Sequence, residues 1–159
     1  MRRFLVAFNY LGKGEDDDLS FLTTLVNATS LELLELNTNN FGGVLPASIS
    51  NLSTELIELS LSYNQISGEI PRGISNLKKL QAFFVAYNRF HGAIPSEISD
   101  LIYLQELVTW KSVLWPNSNL IGKFSFFNQT QFKRKQSPGE NSFQFRQMPQ
   151  FGTVGSWFK

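Results

Sequence analysis

Few residues in this sequence have the chemistry of a catalytic centre. His91 is the only histidine, and cysteine is absent. The serine motif of hydrolases, the glycine-rich loop of nucleotide-binding proteins and the signature motifs of protein kinases do not occur either. His91 stands between Phe90 and Gly92, where the chain is expected to turn at the surface, so a solvent-exposed structural role is the simpler interpretation. The sequence therefore predicts no enzyme, no catalytic residue and no cofactor.

Three consecutive acids, Asp16 to Asp18, form the densest group of possible metal ligands. They precede a segment whose apolar residues share one helical face: Leu19, Leu22, Leu25 and Val26. Carboxylates at the start of a helix accept hydrogen bonds from free backbone N–H groups and face the positive end of the helix dipole. Calcium binding is the alternative, but the ligands of a calcium loop alternate with other residues. We interpret the acids as helix caps on a flexible, acidic approach, and predict no metal site.

The elements that position every other candidate residue come from a repeated pattern. LELLELNTNNFGGVLP, LIELSLSYNQISGEIP and LQAFFVAYNRFHGAIP begin at Leu31, Leu56 and Leu80. Their shared asparagines, Asn39, Asn64 and Asn88, advance by 25 and then 24 residues, a period that is typical of solenoids. Imperfect copies precede and follow these three, around Asn9 and Leu104. The chain thus contains three complete and two imperfect repeats.

Each repeat begins with an LxxLxL segment that predicts a short strand with leucines on its inner side. Stacked repeats would pair these strands in parallel, because one repeat alone cannot bury its apolar residues. The bend after each strand leaves backbone groups without partners, and an asparagine amide both donates and accepts hydrogen bonds. A structural ladder is therefore predicted at four positions: Asn9, Asn39, Asn64 and Asn88. The predicted fold is an α/β solenoid, a short right-handed coil with a parallel concave β-sheet over residues 1–109.

The pattern resembles the plant-specific class of extracellular leucine-rich repeats, LxxLxLxxNxLxGxIPxxIxNL, over about residues 1–108. GKGEDDDLSFLTTLVNATSLELLEL followed by NNFGGVLPASISNLS is similar to one branch, the ectodomains of plant leucine-rich-repeat receptor-like kinases of pathogen perception. The resemblance implies a ligand sensor at the extracellular face of the plasma membrane, in plant defence and signal transduction. A full receptor of this kind also has a signal peptide, a cysteine-paired cap, more repeats, a membrane span and a kinase, none of which this sequence encodes.

The outward positions of the predicted strands form the candidate binding surface. Aligned on the asparagines, they give eight residues for contact with a protein or peptide ligand: Phe8, Glu35, Thr38, Glu58, Ser60, Tyr63, Phe84 and Tyr87. Aromatic side chains on a rigid scaffold suit recognition because they bury a large area at little entropic cost. For Tyr63 and Tyr87 the alternative is that they only shield the neighbouring asparagine. By the resemblance, a co-receptor is a further partner.

Residues 110–159 have a different composition, basic and rich in aromatic residues. Residues 113–159 carry a net charge of +5, against −4 for residues 1–112. We predict an irregular, mostly disordered tail with at most a short helix or strand. Nucleic-acid binding by its phenylalanines and basic residues is the alternative, but the acidic repeats would oppose the approach of phosphate. No nucleic-acid partner is therefore predicted.

Glycosylation and secretion depend on the compartment. Asn27 and Asn51 begin sequons on the expected convex side, and Asn128 begins a third. No apolar run is long enough for a membrane span, and the N-terminal apolar stretch is too short for a signal peptide. The predicted function is a non-catalytic protein-binding or peptide-binding module. The alternatives are a truncated gene product without independent function, and a secreted inhibitor of cell-wall hydrolases.

Overall fold

The computed structural model describes residues 1–109, 130–137 and 140–144, the last two ranges by their backbone. Five short parallel strands recur once per repeat in its main sheet. They are β1 (Arg3–Leu5), β2 (Leu33–Glu35), β3 (Glu58–Ser60), β5 (Ala82–Phe84) and β7 (Glu106–Thr109). This is the parallel sheet of a leucine-rich-repeat solenoid, as predicted.

The middle residue of each strand points into the core, as the LxxLxL pattern requires. Leu34, Leu59, Phe83 and Leu107 are fully buried, and Phe4 packs against the same cluster. Their neighbours along each strand point to the opposite side, because side chains alternate across a strand. We call this opposite side of the five parallel strands the concave face.

The return side of each repeat closes the core with one turn of helix. The first repeat has a short α-helix, α1 (Leu22–Leu25), and the next three have 3-10 helices at Ala47–Asn51, Arg72–Asn76 and Ser96–Asp100. A proline directly precedes each 3-10 helix, where its fixed φ and missing N–H cost nothing. The apolar residues of these turns face inward, so Leu22, Ile49, Ile74 and Ile98 are all buried.

A second, smaller parallel sheet lies between the main sheet and the helical turns. It consists of β4 (Ser67–Gly68) and β6 (Arg89–Phe90), and Val44 extends it by a single bridge to Ser67. Gly68 has a φ of +80°, a conformation that glycine adopts without steric cost.

An antiparallel hairpin follows the last parallel strand. The strands β8 (Thr130–Ser137) and β9 (Glu140–Gln144) pair with each other, and β8 pairs with β7. The side-chain pattern shows no alternation here, yet these 13 residues form strands. Backbone pairing explains the difference, since the edge of β7 offers N–H and C=O groups whatever side chains approach it. The prediction for the rest of the tail lies outside the described residues.

Candidate ligand-binding surface

The concave face carries two rows of residues that run across the strands in register. One row consists of Arg3, Leu33, Glu58, Ala82 and Glu106, and the other of Leu5, Glu35, Ser60, Phe84 and Val108. These are the rows that alignment on the asparagines gives. Adjacent strands lie about 4.8 Å apart, so residues that are 24 or 25 positions apart in sequence become direct neighbours.

Ser60 lies at the floor of the surface, although the sequence placed it among the ligand-contacting residues. Only 7% of Ser60 is exposed, and its hydroxyl donates a hydrogen bond to Asn37 Oδ1 over 3.2 Å. In register it stands between Glu35 and Phe84, which are both partly exposed. Ser60 is therefore a short residue between two larger ones, and we call this place in the row, over Ser60 and between Glu35 and Phe84, the depression. Asn37 belongs to the same part of the surface.

Glu58 stands at the centre of an acidic part of the face. Partial burial is the main cause that raises its pKa, and the negative charges of Glu35 and Glu106 raise it further. The ion pairs within residues 1–109 join Arg2 to Glu32, Arg72 to Glu97 and Lys79 to Glu55. None of them neutralises Glu35 or Glu58, so this region presents negative charge to an approaching partner.

The tyrosines before the ladder asparagines form a stacked pair at the ends of their strands. The rings of Tyr63 and Tyr87 lie 4.2 Å apart between centroids, at an interplanar angle of 11°. Tyr63 is 53% exposed, and burial together with the contact to Tyr87 raises its pKa. The pair thus offers an aromatic surface beside the concave face, in addition to any shielding of the asparagines.

The same four positions share a left-handed backbone conformation. Phe8, Thr38, Tyr63 and Tyr87 have φ values of 54° to 59°, a region that side-chain-bearing residues seldom adopt. The bend turns the chain out of the strand at each repeat. Phe8 is 77% exposed, whereas Thr38 is partly buried. The exposure of these four residues therefore differs along the solenoid.

The asparagines after this bend join each repeat to the one before it. Asn64 Nδ2 donates to Leu36 O and Leu61 O, each over 3.0 Å, and Asn64 Oδ1 accepts from Phe41 N over 3.1 Å. Asn39 and Asn88 make the equivalent bonds one repeat away in either direction. Asn9 Nδ2 donates to Val6 O and Ala7 O within its own repeat. The ladder fixes the bends from which the tyrosines project.

Asp18 has a different role from the helix cap that the sequence predicted. Helix α1 begins at Leu22 and has no acidic residue in its first turn. Asp18 instead accepts hydrogen bonds from the backbone N–H groups of Lys13, Gly14, Glu15 and Gly42 over 2.8 to 3.2 Å. Burial raises its pKa, but these donors, Gly42 first, outweigh burial and lower it below the ordinary value.

The loop that Asp18 holds is docked on the second repeat. A Cβ atom at Gly42 would lie only 2.3 Å from the carbonyl carbon of Gly14, so the two segments meet through glycine backbone. The expected flexible approach is therefore anchored. Carboxylate oxygens of Glu15, Asp17 and Asp18 lie within 4.8 Å of one another. Asp18 already accepts four backbone N–H groups, so we assign no metal site to the three acids.

An open cavity of about 430 Å³ lies at the β1 end of the solenoid. Its walls include an aromatic series in which the ring centroids of Phe4 and Phe21 are 6.1 Å apart and those of Phe21 and Phe41 5.6 Å. Asp18 and Thr24 provide polar groups at its edge. The cavity continues the apolar core of the repeats.

The remaining predicted residues lie away from the concave face. Asn27 lies in the turn after α1 and Asn51 ends a 3-10 helix, and both are exposed on the return side. His91 is exposed and its backbone N–H donates to Gly68 O over 2.9 Å. Within the described residues, no helix has the length and apolar content needed to cross a membrane.

The sequence matches the model of the family described as Leucine Rich Repeat over residues 30–52 and 55–77. A probable LRR receptor-like serine/threonine-protein kinase of Arabidopsis thaliana is 51% identical to this chain over 49 residues. That match covers 31% of this chain and 5% of the relative. The matched segment therefore spans only a small part of the length of this receptor kinase.

Solved structures of plant receptors share the fold. The plant peptide hormone receptor RGFR1 in complex with RGF2 matches with a TM-score of 0.54 and 28% identity, over 67% of this chain and 16% of that chain. The Arabidopsis receptor kinase HAESA, in complex with the peptide hormone IDA and the co-receptor SERK1, matches with a TM-score of 0.51 and 27% identity. This second match covers 70% of this chain and 20% of that chain.

Proposed function

We propose that this chain, a leucine-rich-repeat protein whose repeats are similar to those of plant receptor kinase ectodomains, binds a peptide or protein segment along its concave face. The observation that carries the proposal is the continuous row Glu35, Ser60, Phe84 in register, bordered by the stacked Tyr63–Tyr87 pair. Aromatic groups on a rigid sheet supply binding energy with little loss of conformational entropy. The complexes of RGFR1 and HAESA with peptide hormones support the same type of ligand.

Location and partners follow from the same resemblance. The proposed setting is the extracellular face of the plasma membrane, and the HAESA complex with SERK1 supports a co-receptor as a second partner. In that setting Asn27 and Asn51 would carry N-linked glycans, because both are exposed and lie away from the concave face. Expression through a secretory pathway followed by intact-mass measurement tests this, and an unmodified mass at both sequons would contradict it.

Phe84→Ala tests the binding surface directly. Peptides are selected from a displayed library of random dodecapeptides on the immobilised full chain, and their affinities are measured with both proteins. We expect the substitution to weaken binding by about tenfold or more, as for an aromatic hot spot, while the thermal unfolding midpoint changes little because Phe84 is partly exposed.

The matched control is Tyr103→Ala, which removes an exposed aromatic residue from the turn before β7. It should leave affinity unchanged. Peptides whose affinity responds equally to both substitutions, or to neither, would show that the concave face is not the binding surface.

A further inference from the structure

The depression over Ser60 has one acidic side and one aromatic side. Glu35 and Phe84 stand on either side of Ser60 in register, about two strand spacings or 10 Å apart. Glu58 lies two residues before Ser60 on β3, on the same face of the sheet. Ser60 itself is engaged with Asn37 and buried. The surroundings of the depression therefore combine two carboxylates with one phenyl ring.

The repeats supply no ion-pair partner for Glu35 or Glu58. Within residues 1–109, neither Glu35 nor Glu58 belongs to an ion pair, and the like charges of Glu35 and Glu106 act on Glu58. Arg3 is the nearest basic residue in register, beside Leu33 on the edge strand, and it makes no ion pair with either carboxylate. A cationic partner would therefore gain attraction and relieve repulsion at once.

The ring of Phe84 offers a surface to the apolar stem of a basic side chain. Lysine and arginine have an apolar stem that packs on aromatic or aliphatic surface while the charged head reaches a carboxylate. Their cationic heads are also attracted to the faces of aromatic rings. Phe84 is partly exposed beside the depression, and the Tyr63–Tyr87 pair extends aromatic surface toward the ends of the strands.

We propose that the depression between Glu35, Glu58 and Phe84 receives a lysine or arginine side chain of an extended peptide ligand. This inference rests on the proposed function and specifies its ligand class. Charge complementarity selects a basic segment over an acidic one. Because the row runs across the strands, a ligand that lies along it could place its neighbouring residues against Tyr63 and Tyr87. An acidic or uncharged peptide would leave the two carboxylates facing each other without a counter-charge.

The test uses the full chain and the displayed dodecapeptide library. We expect the selected peptides to share a lysine or arginine at one position. Replacing that residue by glutamine should weaken binding by about tenfold, as should Glu35→Gln combined with Glu58→Gln, a change that corresponds to about 1.4 kcal/mol. Affinity should also fall on raising the salt concentration, since salt screens exposed charges.

Glu97→Gln combined with Asp100→Asn is the matched control, because this variant also loses two negative charges, from a 3-10 helix on the return side. Thermal unfolding of each variant verifies that it is folded. Peptides without a basic preference that still lose affinity with Phe84→Ala would overturn this inference and leave the proposed function standing. Basic peptides that bind the concave-face double variant and the control double variant equally well would also overturn it. If no selected peptide depends on Phe84, both proposals fail.

Discussion

Asp18 organises the first repeat through a single carboxylate. It accepts N–H groups from three consecutive loop residues and from Gly42 of the second repeat. Hydrogen bonds to the charged form of a carboxyl group favour that form, which is why its pKa is lowered despite burial. One side chain thereby converts an insertion between repeats into a part of the packed structure.

Asp18→Asn should lower the free energy of unfolding at pH 7 by about 1 to 2 kcal/mol, because an amide accepts fewer of these bonds and bonds to a charged group are the stronger ones. The folded pKa lies below the ordinary value of 3.8. The stabilisation is therefore complete above the unfolded pKa and is lost as pH falls through the folded pKa. Urea unfolding at pH 7 and pH 2 measures the difference between the two proteins, which should be smaller at pH 2 than at pH 7.

The control for this prediction is Asp16→Asn, at an exposed neighbouring position. It should change stability much less at pH 7. Equal losses for the two substitutions at pH 7, or a loss at Asp18 that is as large at pH 2 as at pH 7, would contradict the stabilising role of the Asp18 hydrogen bonds.

At the scale of the elements, the asparagine ladder joins strand to strand where the sheet hydrogen bonds end. Each interior asparagine donates to a carbonyl of its own repeat and to one of the preceding repeat, and accepts an N–H of that preceding repeat. The left-handed residue before it turns the chain into the position where these bonds form. The left-handed residue and the asparagine after it therefore act together: the first turns the chain, and the second stabilises the turn by its hydrogen bonds.

Asn64→Ala should therefore destabilise the chain by about 1 to 3 kcal/mol, since it leaves Leu36 O, Leu61 O and Phe41 N without this partner. Chemical denaturation measures the loss. Asn76→Ala, at an exposed position on the return side, serves as the control and should be nearly neutral. Phe84→Ala should also change stability little, so an equal loss of stability at Asn64 and Phe84 would contradict the separation between the structural ladder and the concave face.

At the scale of the whole molecule, the two ends of the parallel sheet differ. The hairpin β8–β9 covers the edge of β7, whereas β1 has one neighbouring strand, β2, in the described part of the chain. The apolar cavity lined by Phe4 and Phe21 opens at the same end as β1. Order should therefore be strongest in the middle of the array and weaker toward β1.

Hydrogen exchange followed by mass spectrometry on the full chain tests this gradient. We expect slow exchange in β3 and β5, which are paired on both sides, and faster exchange in β1. Exchange that is fast throughout residues 29–101 would mean that these repeats do not fold unaided, and would favour the alternative of a chain without independent function.

The repeat pattern was sufficient to predict the parallel strands of the main sheet and the rows of the concave face. Strand alternation and a constant period are both local properties of the sequence. Burial of Ser60 could not be predicted in this way, since it depends on Asn37 in the neighbouring repeat. The contact of Asp18 with Gly42 depends on how an insertion folds back. The pairing of β8 with β7 depends on backbone groups and leaves no signal in the side-chain pattern.

Deletion or duplication of one whole repeat period would preserve the register of the strands. Leu33, Glu58 and Ala82 are aligned on successive strands, so excision of residues 58–81 would bring Ala82 into the place of Glu58. The sheet would close again around the gap with its inner and outer residues unchanged, one repeat shorter. An in-frame deletion or duplication of a whole period thus alters the rows of the concave face in discrete steps, whereas the loss of a single codon would turn the core of a strand outward.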